Sequence, residues 1–212
     1  MNKDIIAIYG GSFNPPTIAH ENIARDILGL SDINKLIYLP VGDAYKKKNL
    51  IESNYRYEML KIITNKLVLQ DFNVEISTLE MDTDRRLYTI ESLRILKEKY
   101  KKDLAFVMGT DNIKEFNSWS NPKSLLEEFY FIVIEREEDD VSKLIKENPL
   151  LSKYQDKFLI LKNTSYKSVS STYIRENIEN TELVQSYINI EVLSYIKKNN
   201  LYGGMVKWRK TF

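Results

Sequence analysis

The sequence predicts an α/β fold with a doubly wound parallel sheet, and three observations carry that prediction. Short, unbroken apolar runs rich in β-branched and aromatic residues recur along the chain, Tyr130-Phe-Ile-Val-Ile134 being the plainest. Stretches with apolar residues at helical spacing separate these runs, which implies right-handed βαβ crossovers and helices on both faces of the sheet. Turns at Gly10, Pro40–Gly42, Gly109–Asp111 and Glu135–Arg136 follow the C-terminal ends of four runs. Ligands of such sheets sit outside the carboxyl ends of the strands, so these four turns are expected to line one crevice.

Each element has its own signal. Ile5 to Tyr9 reads as the first buried strand. It breaks at Gly10 and Gly11, passes Asn14, Pro15 and Pro16, and yields to a helix from Thr17 or Ile18 carrying Ile23, Ala24, Ile27 and Leu28. Lys35 to Pro40 is a second strand, and Gly42 to Ser53 is polar and lysine-rich, a loop by composition. Tyr55 to Leu67 returns to helical spacing through Met59, Leu60, Ile63 and Leu67, and Phe72 to Ser77 alternates like a strand. Tyr88 to Tyr100 is helical, with Ile90, Leu93, Ile95 and Leu96 on its apolar side. Leu104–Met108, Tyr130–Ile134 and Phe158–Leu161 read as further strands, with a helix over Leu125–Phe129. Helical patterns at Ser171–Asn177 and Ile188–Asn199 close the chain. One domain over residues 1–202 is expected, helical from about residue 170, followed by a flexible basic tail over residues 203–212.

Composition narrows the function. A chain of 212 residues buries a good core. With 31 Lys and Arg against 30 Asp and Glu, the net charge of +1 gives no global field toward nucleic acid or an anionic membrane, so neither is expected as a partner. Zero cysteines exclude disulfides and thiolate zinc, and a single histidine excludes a His-rich metal site. No stretch approaches the ~18 consecutive apolar residues of a membrane span. The N-terminus runs straight into the first strand with no room for a signal peptide, so a cytoplasmic protein is expected. The pattern leaves a homo-oligomer open.

The chemistry concentrates at the first turn. Strand, glycine turn and helix N-terminus together can hold a phosphate, because glycine lets backbone approach the anion and the first helical turn offers unpaired N–H groups. His20, three residues after Thr17, shares its helix face and would address the same anion. The blander alternative is an ordinary histidine at a helix start. The spacing G-G-S-F-x-P-x-T-x-x-H is much narrower than a double glycine alone. It resembles the (H/T)-x-G-H signature of the nucleotidyltransferase superfamily, with Thr17 at the H/T position, His20 at the final histidine, and Ala19 where glycine is usual. A second stretch, Ser168 to Asn177, reads on its own as a capped helix with a surface arginine. It is similar to the I-S-S-T-x-I-R motif that accompanies the first in adenylyltransferases: Ser170, Ser171, Thr172, Ile174 and Arg175 match, and Val169 replaces isoleucine.

Two further stretches resemble bacterial nicotinate mononucleotide adenylyltransferases. Tyr88 and Thr89 match S-Y-T-x-x-T-L, with Ser92 replacing threonine, and Gly109, Asp111 and Trp119 match a Gly-x-Asp pattern ending in Trp. Core packing is the plainer reading of Trp119, but its polar neighbours favour an exposed loop where the indole could stack on a pyridine ring. The loop Ala44 to Asn49 stands where the family carries P-P-H-K, with Lys47 on the lysine position, although a three-lysine run is also what a solvated loop looks like. Arg56 matches the R-x-x-M-L that follows.

The resemblance implies a Rossmann-like nucleotidyltransferase that moves AMP from ATP to nicotinate mononucleotide, giving deamido-NAD and pyrophosphate. It implies His20, Lys47 and Arg175 as catalytic groups. ATP would lie on Gly10, Gly11, Ser12, Phe13, Thr17, His20, Gly109, Asp111, Ser170, Ser171, Thr172, Ile174 and Arg175. The mononucleotide would lie on Asn14, Lys47, Tyr88, Thr89, Trp119 and Arg136. Mg²⁺ would enter with ATP, held by phosphate oxygens and water rather than a protein cage. A pantetheine-phosphate adenylyltransferase, a cytidylyltransferase, or a nucleotide sensor without turnover are the competing readings. Nicotinate and nicotinamide are not distinguished.

Overall fold

The computed structural model describes residues 4–136, 138–162 and 170–203. The stretch Ser168–Val169 and nearly all of the expected tail lie outside these residues. The chain runs β1 (Ile5–Gly11), α1 (Ile18–Leu28), β2 (Ile33–Pro40), α2 (Ser53–Val68), β3 (Val74–Ile76), α3 (Thr89–Tyr100), β4 (Asp103–Gly109) and α4 (Thr110–Glu115). It continues through α5 (Pro122–Glu128), β5 (Tyr130–Ile134), α6 (Val141–Glu147), β6 (Phe158–Leu161), α7 (Ser171–Glu176), α8 (Thr181–Val184) and α9 (Ile190–Lys198). The strands are all parallel in the order β3-β2-β1-β4-β5-β6, the doubly wound arrangement expected.

The apolar runs form strands because both faces of the sheet are covered. Successive side chains of β1 point to opposite faces. Ile5, Ala7 and Tyr9 enter one core with Leu36, Tyr38, Met59 and Leu60, while Ile6 and Ile8 enter the other with Leu93, Leu104 and Phe131. The first core also takes Ile174, Val184, Val192 and Ile196, so the C-terminal helices pack on the same side as α1 and α2. An ion-pair cluster links those two helices, since buried Glu21 meets Arg25 at 2.6 Å and Lys66 at 2.8 Å.

The differences from expectation are local. The strand expected over Phe72–Ser77 shortens to Val74–Ile76, because the Phe72 N–H bonds back to the Leu67 carbonyl at 3.1 Å and closes the exit of α2. The expected helix over Leu125–Phe129 begins earlier, at Pro122, a residue well suited to the first helical position. The stretch after Gly109, expected as a turn at Gly109–Asp111 and an exposed loop around Trp119, is α4 followed by a tight helical turn over Phe116–Ser118. The helices α6 and α8 were not foreseen. Among the described residues no helix is long and apolar enough to cross a membrane.

Candidate active site

The connections of β1 and β4 leave toward opposite ends of the sheet, and at this switch point the carboxyl ends of the two neighbours open a crevice of about 590 Å³. Gly10 and Gly11 line it from the end of β1 with Ser12 just beyond, Val41 from the turn after β2, and Phe106 to Gly109 from β4. Two glycines allow close packing around it. A Cβ on Gly10 would stand 2.9 Å from the Phe106 ring, and one on Gly42 only 1.9 Å from the Glu80 carbonyl oxygen. Three of the four expected turns therefore meet here. The fourth, Glu135–Arg136, lies outside the lining. The Thr110 hydroxyl donates to the Ile134 carbonyl at 3.3 Å and accepts from the Arg136 N–H at 3.4 Å, so the start of α4 closes over the end of β5. Arg136 instead pairs with Asp111 at 2.9 Å, and that residue too stands outside the crevice lining.

Beside the crevice, Thr17 caps α1 and His20 occupies the third helical position. The Thr17 backbone N–H donates to His20 Nδ1 at 3.0 Å, and the Thr17 hydroxyl lies 2.8 Å from the same nitrogen. An Nδ1 that accepts leaves the ring proton on Nε2. The ring stands against Phe13 at 5.2 Å and Tyr9 at 5.9 Å, and burial pushes its pKa down to about 4. His20 is thus a neutral Nε2–H donor at pH 7. The Tyr38 hydroxyl donates to the His20 carbonyl at 3.1 Å and steadies the helix start from β2. Phe13 itself is buried with φ 45°, so its ring belongs to the core beneath the turn.

The second motif packs directly on the first. Arg175 Nη1 donates to the Asn14 carbonyl at 2.7 Å and Nη2 to the Thr172 hydroxyl at 3.0 Å. The Ser171 hydroxyl donates to the Pro15 carbonyl at 2.9 Å, and Ser170 caps α7 by accepting from the Tyr173 N–H. Ile174 is fully buried, so its side chain serves the core. Thus Thr17, His20, Asn14, Ser171 and Arg175 form one cluster, although about 150 residues of chain separate its two halves.

The crevice itself receives Lys47, Tyr88, Thr89 and Trp119. Trp119 is half-buried, stacked on Phe116 at 5.2 Å and edge-on to Phe106 at 5.9 Å, so the expected exposed loop is instead a partly packed platform. The loop bearing Lys47 is anchored at its base by the fully buried Arg56. That guanidinium donates to the carbonyls of Ile51 at 2.9 Å and Ser12 at 3.1 Å and pairs with Asp43 at 3.4 Å. Sequence reasoning matched Arg56 to a motif but gave it no place in the site. It missed Tyr45, Glu80 and Arg86 altogether. Arg86 lies over the Tyr45 ring at 4.5 Å, so with Lys47 it places two cations in the crevice lining. Glu80 accepts from the Ser92 hydroxyl at 2.7 Å, and its burial pushes its pKa up against the pull of Ser92 and Arg86. The adjacent Arg85-Arg86 pair and an aromatic residue inside the lysine loop were the available signals.

Comparison with known proteins identifies the family and the fold. Residues 8–177 match the cytidylyltransferase-like family. The chain is 35% identical over 91% of its length to a probable nicotinate-nucleotide adenylyltransferase of Fusobacterium nucleatum, covering 97% of that protein. It is 36% identical over 93% of its length to the one from Acholeplasma laidlawii, again covering 97% of the relative. Among solved structures, the nicotinic acid mononucleotide adenylyltransferase of Plasmodium falciparum, complexed with NaAD, superposes with a TM-score of 0.77 at 27% identity. The likeness covers 94% of this chain and 98% of that one.

Proposed function

Since the chain belongs to the cytidylyltransferase-like family, and within it to the nicotinate-nucleotide adenylyltransferases, we propose that it transfers AMP from ATP to nicotinate mononucleotide. The products are deamido-NAD and pyrophosphate, a step of NAD biosynthesis. The observation that carries this reading is the junction of two subsites: the Thr17–His20–Arg175 cluster adjoins a crevice with an aromatic platform and two cations.

The chemistry needs no covalent intermediate. A phosphate oxygen of the mononucleotide attacks the α-phosphorus of ATP, a new P–O bond forms, and the α–β bridge breaks with pyrophosphate as leaving group. Catalysis is then positioning and charge stabilisation. His20 donates its Nε2–H to a phosphate oxygen as charge develops on the leaving group, and its low pKa keeps that proton assignment constant through the neutral range. Arg175 and Lys47 hold the polyphosphate as fixed and mobile cations respectively. Gly10 to Ser12 leave room for the anion beside the helix start. Trp119 and Tyr88 offer faces to the pyridine ring, with the Thr89 N–H and hydroxyl near its substituent. Asp111 and Arg136 pair with each other beyond the ends of β4 and β5, outside the crevice lining, so they are given no substrate contact in this reading.

Mg²⁺ supplies charge neutralisation on the phosphates when it is bound. Its ligands in this reading would be nucleotide oxygens and water. The test is pyrophosphate release from ATP and Mg²⁺ with nicotinate mononucleotide, nicotinamide mononucleotide or phosphopantetheine as acceptor. Turnover should be fastest with nicotinate mononucleotide, and the ratio of kcat/KM values reports the ring substituent. Turnover with phosphopantetheine alone, or ATP binding with no turnover at all, would overturn the assignment.

A further inference from the structure

One buried contact joins the active-site cluster to the far end of the described chain. The Tyr202 hydroxyl donates to Asn14 Oδ1 at 2.9 Å across 188 residues of sequence. Both partners are buried, Tyr202 at 3% and Asn14 at 4% exposure. Burial also pushes the Tyr202 phenol pKa up, so the hydroxyl stays a neutral donor throughout the working range.

Asn14 is a junction of three elements. Its Nδ2 donates to the carbonyl of Asn49, in the lysine loop, at 2.7 Å. Its backbone carbonyl accepts from Arg175 at 2.7 Å. A carbonyl can only accept, so the Asn49 contact fixes which end of the amide is Nδ2 and turns Oδ1 toward Tyr202. Among the described residues, Oδ1 has besides that hydroxyl the Ile51 N–H, at a long 3.5 Å. The phenol and the Asn49 carbonyl therefore hold the two ends of the amide between them.

Resting on the function proposed above, we propose that Tyr202 is a positioning residue for ATP. Through Asn14 it locks the β1–α1 turn, the lysine loop and the Arg175 guanidinium into one frame. Without the hydroxyl, Oδ1 is left buried and poorly paired, the amide reorients, and the contacts that aim Lys47 and Arg175 slacken together.

Tyr202→Phe keeps the ring and its packing while removing only the donor. In steady-state assays with the full chain, KM for ATP should rise about tenfold and kcat fall several-fold, the scale of one buried hydrogen bond, while KM for the mononucleotide rises less, by no more than about threefold, because of its cations only Lys47 is loosened. The thermal midpoint should move by less than about 3 °C. In an Arg175→Ala background the same change should cost clearly less, about threefold or under, because one of the two cations it positions is gone. Unchanged ATP kinetics, an equal rise in both KM values with a large fall in thermal midpoint, or a full tenfold effect in the Arg175→Ala background would each overturn the proposal. ATP affinity measured by calorimetry on the wild type and Tyr202→Phe decides it even if no acceptor is turned over, which separates its failure from failure of the adenylyltransferase reading.

Discussion

At the scale of single residues, the most informative arrangement is Thr17 with His20. A capping box usually places Glu or Gln at the third helical position, where the side chain reaches back to the backbone N–H of the cap. Here histidine fills that position and Nδ1 does the reaching, so one residue serves both helix start and chemistry. The two roles can be separated. His20→Gln should keep the cap and leave the thermal midpoint within about 3 °C, yet lower kcat at least a hundredfold through loss of the phosphate donor. A variant retaining a tenth of wild-type turnover would disprove the donor role. Protonation gives a second readout. Burial holds the folded-state pKa near 4, below the ordinary 6.5, so between those values the unfolded chain binds more protons than the native one. This contribution to stability is present above pH 6.5 and is lost as pH falls toward 4. Thermal melts at pH 4.5 and 7 should therefore differ less for His20→Gln than for wild type.

At the scale of elements, what could be read in advance depended on length and burial. The strands β1, β2, β4 and β5 announce themselves because residues covered on both faces read as continuous apolar runs, and the edge strand β6 reads the same way although Leu159 is exposed. The helices α4, α6 and α8 have six, seven and four residues, too few to display a 3.6-residue period. Missing α4 mattered, because that helix sets Thr110 over the end of β5 and separates Arg136 from the crevice. The Thr17–His20 pair was legible since both partners lie within one helical turn. Glu80 and Arg86 were not, since their place depends on the segment before α3 folding back against Gly42. That contact is itself testable. Gly42→Ala forces a methyl into the Glu80 carbonyl, and should cost about 2–4 kcal/mol of stability and raise KM for the mononucleotide, as urea unfolding and steady-state kinetics would report. A variant as stable as wild type would mean that the loop yields easily.

At the scale of the whole molecule, the two ends of the chain share one core. Ile174, Val184, Val192 and Ile196 pack in the same cluster as Ala7, Tyr9 and Met59, so the C-terminal helices should not melt independently of the sheet. Urea unfolding followed by tryptophan fluorescence and by far-UV circular dichroism should give coincident single transitions. An early transition that releases helix without disturbing the fluorescence would refute this.

The tie between Asn14 and residues 175 and 202 also has a temporal consequence. A ribosome delivers the β1 turn first and Tyr202 some 188 residues later, after every strand of the sheet has been made. Until then the nascent chain can present the histidine but not the frame that aims its cations. On the role proposed for Tyr202, the nucleotide site is complete only once residue 202 has been made, and chains cut short before that point lack the buried contact to Asn14.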